Sequence, residues 1–134
     1  MDLVERTHAS IQLLWLRLQL PHLLKSGPLD GLLMRLTART VGATADFDSL
    51  ERALDRAEAL ADRVPFLPRT CLYQCLARYA VFRYYGFPAE FVMGISPLGL
   101  DDDGHAWLEF GGEPYREARS EAFLVSFRYP VRAA

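Results

Sequence analysis

Apolar positions in the first half of the chain recur at helical spacing. Between Glu5 and Leu24, the residues Ile11, Leu14, Trp15, Leu18 and Leu20 fall near one stripe, and Pro21 is expected to kink or end that helix. Ser26-Gly27-Pro28 interrupts the pattern. Pro28-Leu29-Asp30 then opens a second helix to about Arg39, with Leu32, Leu33 and Leu36 on its apolar side. Gly42 to Ala45 reads as a loop. Asp46 or Asp48 caps a third helix, Ser49 to Val64, in which Leu50, Ala53, Leu54, Ala57 and Leu60 recur at i, i+3, i+4. Its other side carries Glu51, Arg52, Asp55, Arg56 and Glu58, which reads as a solvated charge surface.

The second half changes period. Pro65-Phe-Leu-Pro68 is a stiff break, after which Thr70 caps a helix from Cys71 to about Tyr85. Gly86 sits where a left-handed residue closes a helix, and Pro88 forbids continuation. Ala89 to Ile95 has strand length and composition, and a loop with three consecutive Asp follows, from Ser96 to Gly104. His105 to Phe110, Gly111-Gly112 and Glu113 to Glu117 read as a β-hairpin, with Pro114 restricted to an unpaired edge. Phe123 to Tyr129 is a candidate last strand. The fold class is therefore α+β: a helical N-terminal half, then a Cys-bearing helix packed on a small antiparallel sheet.

Composition narrows the partners. At 134 residues, 51% hydrophobic and 24% charged, the chain is neither disordered nor fibrous. It reads as one compact domain, with residues 1–45 a helical arm packed on a core of residues 46–134. A net charge of −2 argues against a general nucleic-acid binder, although nearly all the cations are Arg. The most apolar stretch, Ile11 to Leu24, is interrupted by Arg17, Gln19, Pro21 and His22, short of the roughly 20 residues a membrane span needs. Asp2 and Glu5 offset Arg6, unlike a signal peptide, so a cytoplasmic location is expected. Two cysteines are too few for a disulfide scaffold, and Cys71 and Cys75, one helical turn apart, read as free thiols.

Cys71 is the first candidate for chemistry. It begins a helix, where unpaired N–H groups and the helix dipole favour an anion, and the thiolate is the nucleophilic form of cysteine. The alternative is a small buried core residue. Cys75, a turn further in, suits that role better. His105 opens a strand after the acidic loop, so its ring can stand at the sheet rim facing the helix start as a general base. Counting out from a turn at Gly111-Gly112 places Glu117 directly across from His105, within reach to orient the imidazole. Glu109, on the same face as Trp107 and His105, is a rival for that role. His8 and His22 lack acidic partners at suggestive spacing, and Asp101 to Asp103 read as a solvated loop. A zinc site from Cys71, Cys75 and His105 lacks a fourth ligand.

Together these pieces resemble one family. Arg69-Thr-Cys71-Leu72, the helix Cys75 to Gly86, Pro88-Ala89, Val92-Met-Gly-Ile95 and His105-Ala-Trp-Leu-Glu109 are similar, over roughly residues 50–118, to the lasso-peptide leader peptidases. These belong to the transglutaminase-like branch of papain-type cysteine proteases. The resemblance implies a minimal papain-type core with Cys71 as nucleophile and His105 as base. Glu117 stands where the family usually has an Asp, and Trp107 walls the substrate cleft. It implies no metal or organic cofactor. The implied partners are a precursor peptide, a leader-recognition protein and an ATP-dependent lasso cyclase. No segment reads as the recognition domain, so a partner is expected to supply it. The alternative is a non-catalytic adaptor of the same fold that docks through the helical arm, with Trp15 among leucines as its contact stripe. Transfer of the acyl group to an amine instead of water uses the same three residues and stays open.

Overall fold

A computed structural model describes residues 2–37, 46–65, 67, 70–96 and 104–130. The chain is α+β: among these residues four α-helices precede an antiparallel sheet of four strands, in the spatial order β3-β2-β1-β4.

The first helix, α1 (Leu3–Lys25), starts where Asp2 accepts a hydrogen bond from the Glu5 N–H at 2.8 Å. It runs through Pro21 rather than ending there. Pro21 lies in the last turns, so the helix forfeits one backbone hydrogen bond while Leu20, Leu23 and Leu24 still reach the core. Ser26 closes it, donating to the Leu23 carbonyl. The buried face also differs from expectation. Ala9, Leu13, Leu16 and Leu20 point inward, whereas Ile11, Trp15 and Leu18 are 59%, 58% and 50% exposed. α1 is apolar around most of its circumference, so periodicity alone admits more than one stripe. Small residues suit the inward side: α1 packs on α3, and Ala9 of the first and Ala53 and Ala57 of the second are all buried. Arg17 is fully enclosed as well.

Helix α2 (Leu29–Thr37) buries Leu32, Leu33 and Leu36 as expected. Arg39 and the expected loop Gly42 to Ala45 lie outside the described residues. Helix α3 (Phe47–Ala61) is capped by Asp46 rather than Asp48 and stops short of Val64. Pro65 disfavours helical backbone at Val64, and the Asp62 and Val64 N–H groups close the end on the Glu58 and Ala61 carbonyls. Leu60, expected on the apolar stripe, faces solvent, and Ala61 is buried in its place.

Helix α4 (Cys71–Tyr84) is the central element, and its run from Leu76 to Phe82 is buried throughout. Gly86, at φ 87°, ends it in a Schellman turn: Gly86 N–H donates to Arg83 and Phe87 N–H to Phe82. That turn delivers the chain into β1 (Ala89–Ile95), which pairs antiparallel with β2 (His105–Phe110). Gly111 and Gly112 both have positive φ, as a tight two-residue hairpin turn requires, and lead into β3 (Glu113–Tyr115). Pro114 sits on this edge strand, as expected. After a short 3-10 turn (Ser120–Ala122), β4 (Leu124–Tyr129) adds to the other side of β1. α4 lies against β1 and β2 on one side and against α1 and α2 on the other.

Leu20→Ala is expected to cost about 2–5 kcal/mol of unfolding free energy, because it empties a fully buried site. Trp15→Glu should stay within about 0.5 kcal/mol of the parent. Urea unfolding of the two variants checks the assigned face of α1.

Candidate active site

The start of α4 supplies the thiol. Thr70 Oγ1 accepts the Tyr73 N–H at 3.4 Å, and the N–H groups of Cys71 and Leu72, ahead of the first helical carbonyls, have no partner within the helix. Cys71 is half-buried and a free thiol, as is Cys75. The two sulfurs differ in setting. Cys75 Sγ donates to the Ala106 carbonyl at 3.4 Å, and burial pushes its thiol up to about 12, which keeps it protonated. Among the described residues, no group of three or more His, Cys, Asp or Glu is arranged to hold a metal ion.

The strand opposite supplies the imidazole. His105 pairs with Gly94 across the β1–β2 ladder, and its ring lies roughly parallel to Phe123 at 4.9 Å and Trp107 at 5.7 Å between centroids. Gly94 makes room for this aromatic wall. A Cβ there would stand 2.8 Å from the Phe123 Cβ and 3.0 Å from both Trp107 and the Leu124 carbonyl oxygen. His105 Nε2 meets Glu117 Oε2 at 2.5 Å, while Glu117 Oε1 accepts the Arg119 N–H at 2.7 Å. Glu109 is engaged elsewhere: it is buried, accepts the Trp107 indole N–H at 2.9 Å and is paired with Arg128 at 2.8 Å. Cys71, His105, Trp107 and Glu117 all line one cleft of about 290 Å³, with Gln74, Cys75, Arg78 and Tyr115 also on its walls.

Glu117 does not reach His105 by the expected cross-strand pairing. The ladder pairs Leu108 with Tyr115 and Phe110 with Glu113, one residue away from the register counted from the sequence, and β3 ends at Tyr115. A regular continuation would set Glu117 across from Ala106, on the opposite face from His105. Arg116, between Tyr115 and Glu117, takes a left-handed step, φ 50°, that breaks the alternation, and Glu117 meets His105 beyond it.

The polar side of α3 is not the solvated surface expected. Glu51, Asp55 and Glu58, at i, i+4 and i+7, turn toward Arg78 of α4, which is 7% exposed. Arg78 donates twice to Glu58, at 2.8 and 2.9 Å, and to Asp55 at 2.5 Å. It also donates to the Tyr115 hydroxyl, which in turn donates to Glu51 at 2.6 Å. Arg116 donates to both Asp55 oxygens, at 2.7 and 3.1 Å. Only Arg52 and Arg56 of the five residues are exposed. The signal for this network was the acidic spacing along α3; its cationic partners lie too far along the chain for helical periodicity to identify. His8, read as structural, bonds the Tyr85 hydroxyl at 3.0 Å. The acidic run Asp101 to Asp103 lies outside the described residues.

The chain belongs to the transglutaminase-like superfamily, whose family model matches residues 13–128. The match begins within α1 and so takes in most of the helical half, ahead of the stretch that carried the resemblance in sequence. No curated protein and no solved structure matches the chain.

The network makes acid stability testable. The hydrogen bond from Arg116, with Arg78 beside it, holds the Asp55 carboxyl down at about 2, below its ordinary 3.8. A depressed carboxyl contributes stability above the unfolded value and loses it as pH falls toward the folded one. Stability should therefore drop between about pH 4 and 2, and Asp55→Asn should flatten that part of the profile. Thermal melts across this range check it.

Proposed function

We propose that this protein is a cysteine endopeptidase that removes the leader from a ribosomally made lasso-peptide precursor. Cys71 is the nucleophile, His105 the general base and acid, and Glu117 the carboxylate that orients the imidazole. The observation that carries the reading is the convergence of three parts on one cleft: a thiol at an open helix start, an imidazole, and a carboxylate already on that imidazole. Membership of the transglutaminase-like superfamily supports cysteine chemistry of this kind.

The chemistry follows from those positions. Glu117 holds Nε2, so Nδ1 is the nitrogen left to take the Cys71 proton. The thiolate attacks the scissile carbonyl, and the free N–H groups at the start of α4 stabilise the oxyanion. The C–N bond breaks as the imidazolium passes its proton to the leaving amine, and a thioester remains on Cys71. His105 then takes a proton from water, which attacks the thioester and regenerates the thiol. Trp107 walls the cleft, held by its indole bond to Glu109. No step requires a metal or an organic cofactor. A leader-recognition protein presents the precursor, and an ATP-dependent cyclase acts on the freed core peptide.

A second reading, an adaptor that binds a partner through α1, is favoured by the exposure of Ile11, Trp15 and Leu18. The two are compatible. Where docking is the whole function, Trp15→Glu abolishes partner capture and the Cys71 and His105 variants change nothing.

For the protease, Cys71→Ala and His105→Ala should abolish precursor cleavage with the fold intact, as followed by mass spectrometry and circular dichroism. Glu117→Ala should slow it by roughly 10- to 10⁴-fold, the range between a misplaced ring and a lost orienting carboxylate. Leader cleavage by Cys71→Ala would overturn the mechanism.

A further inference from the structure

Between β3 and Glu117 stands one residue, Arg116, with backbone in the left-handed region at φ 50°. There the Cβ of a residue other than glycine crowds a neighbouring carbonyl, so the conformation persists only where surrounding contacts hold it. Arg116 has such contacts. The guanidinium donates to both Asp55 oxygens, lies 3.1 Å from Glu51, and sits over the Tyr115 ring at 5.4 Å.

Asp55 is itself fixed. Its Oδ1 also accepts from Arg78, whose guanidinium is locked to Glu58 inside the cleft wall. An isolated surface ion pair would hold little, but this one is bidentate on the carboxylate and tied to a buried cation. Helices α3 and α4, bridged by Arg78, are thereby connected to the backbone step after which Glu117 emerges beside His105.

We propose that Arg116 and Asp55 are a positioning pair for the catalytic site, anchoring the left-handed step that aims Glu117 at His105. The inference rests on the roles given above to Cys71, His105 and Glu117. Neither Arg116 nor Asp55 acts on the substrate. Their effect reaches the thiol only through the carboxylate and the imidazole.

The test uses the full chain and p-nitrophenyl acetate, whose acyl group a cysteine thiolate takes with release of p-nitrophenolate. The burst rate at pH 6 reports acylation, with Cys71→Ala as the blank. Arg116→Gln should lower the rate by about 10-fold or more, the scale of a misplaced catalytic group. Because Arg116 is half-exposed, this variant leaves the buried Arg78 with its partners. Asp55→Asn should act in the same direction, and it is scored only if its melt shows a folded protein.

The decisive arm is the Glu117→Ala background. There Arg116→Gln should have no further effect, since the residue through which it works is gone. An equal loss in both backgrounds would mean a general structural role and would overturn the pairing. So would an unchanged rate for Arg116→Gln while His105→Ala and Glu117→Ala are slow, an outcome that leaves the proposed catalytic roles standing. If His105→Ala and Glu117→Ala also acylate at the parent rate, the proposal falls together with the reading on which it rests.

Discussion

A guanidinium taken out of water needs acceptors in place of the water it loses, and Arg78 finds them on two other elements of this molecule. It stands on the inner face of α4 and draws in Asp55 and Glu58 from α3, while Tyr115 of β3 bonds both Arg78 and Glu51. Three elements distant in sequence are thus held by one set of charge-assisted hydrogen bonds. The apolar core alone would fix the spacing of these layers but not their register. Tyr115, the last residue of β3, and Arg116 after it both bond to this network. The cleft that Cys71 and His105 share has Arg78 in its wall, so fold and site rest on the same cation.

Burial distinguishes the two cysteines. They lie one turn apart on α4, yet Cys75 spends its S–H on the Ala106 carbonyl and is kept protonated by desolvation. Cys71 stands at the helix end, where two backbone N–H groups have no helical acceptor. On the other side of the cleft the imidazole is constrained in two ways. Phe123 and Trp107 fix the plane of its ring, and Glu117 fixes the rotation within that plane. Gly94 belongs to this arrangement because any side chain at that position would collide with the aromatic wall.

What the sequence made legible were features decided by a few adjacent residues. Thr70 as a cap, Gly86 as a helix end, the Gly111-Gly112 turn and the strand from Ala89 to Ile95 all depend on local steric preferences, and all appear where expected. The positions of the candidate residues Cys71 and His105 were legible for the same reason, one at a helix start and the other at a strand start. Three things were not. The inward face of α1 was hidden because apolar residues surround most of the helix and more than one stripe fits. The role of Glu51, Asp55 and Glu58 was hidden because their partners come from α4 and β3. The route of Glu117 to His105 was hidden because a two-residue turn shifts the register from the one first counted, and nothing local marks Arg116 for positive φ. Tertiary contacts override local preference at each of these places.

The central claim is that Cys71 and His105 form an activated pair while Cys75 is inert. Peptide mapping of iodoacetamide alkylation between pH 5 and 9, in the parent and in His105→Ala, tests it without any substrate. The account predicts labelling of Cys71, marked slowing of it on loss of His105, and negligible labelling of Cys75 throughout. Labelling of Cys71 at the same rate with and without His105, or preferential labelling of Cys75, would contradict it.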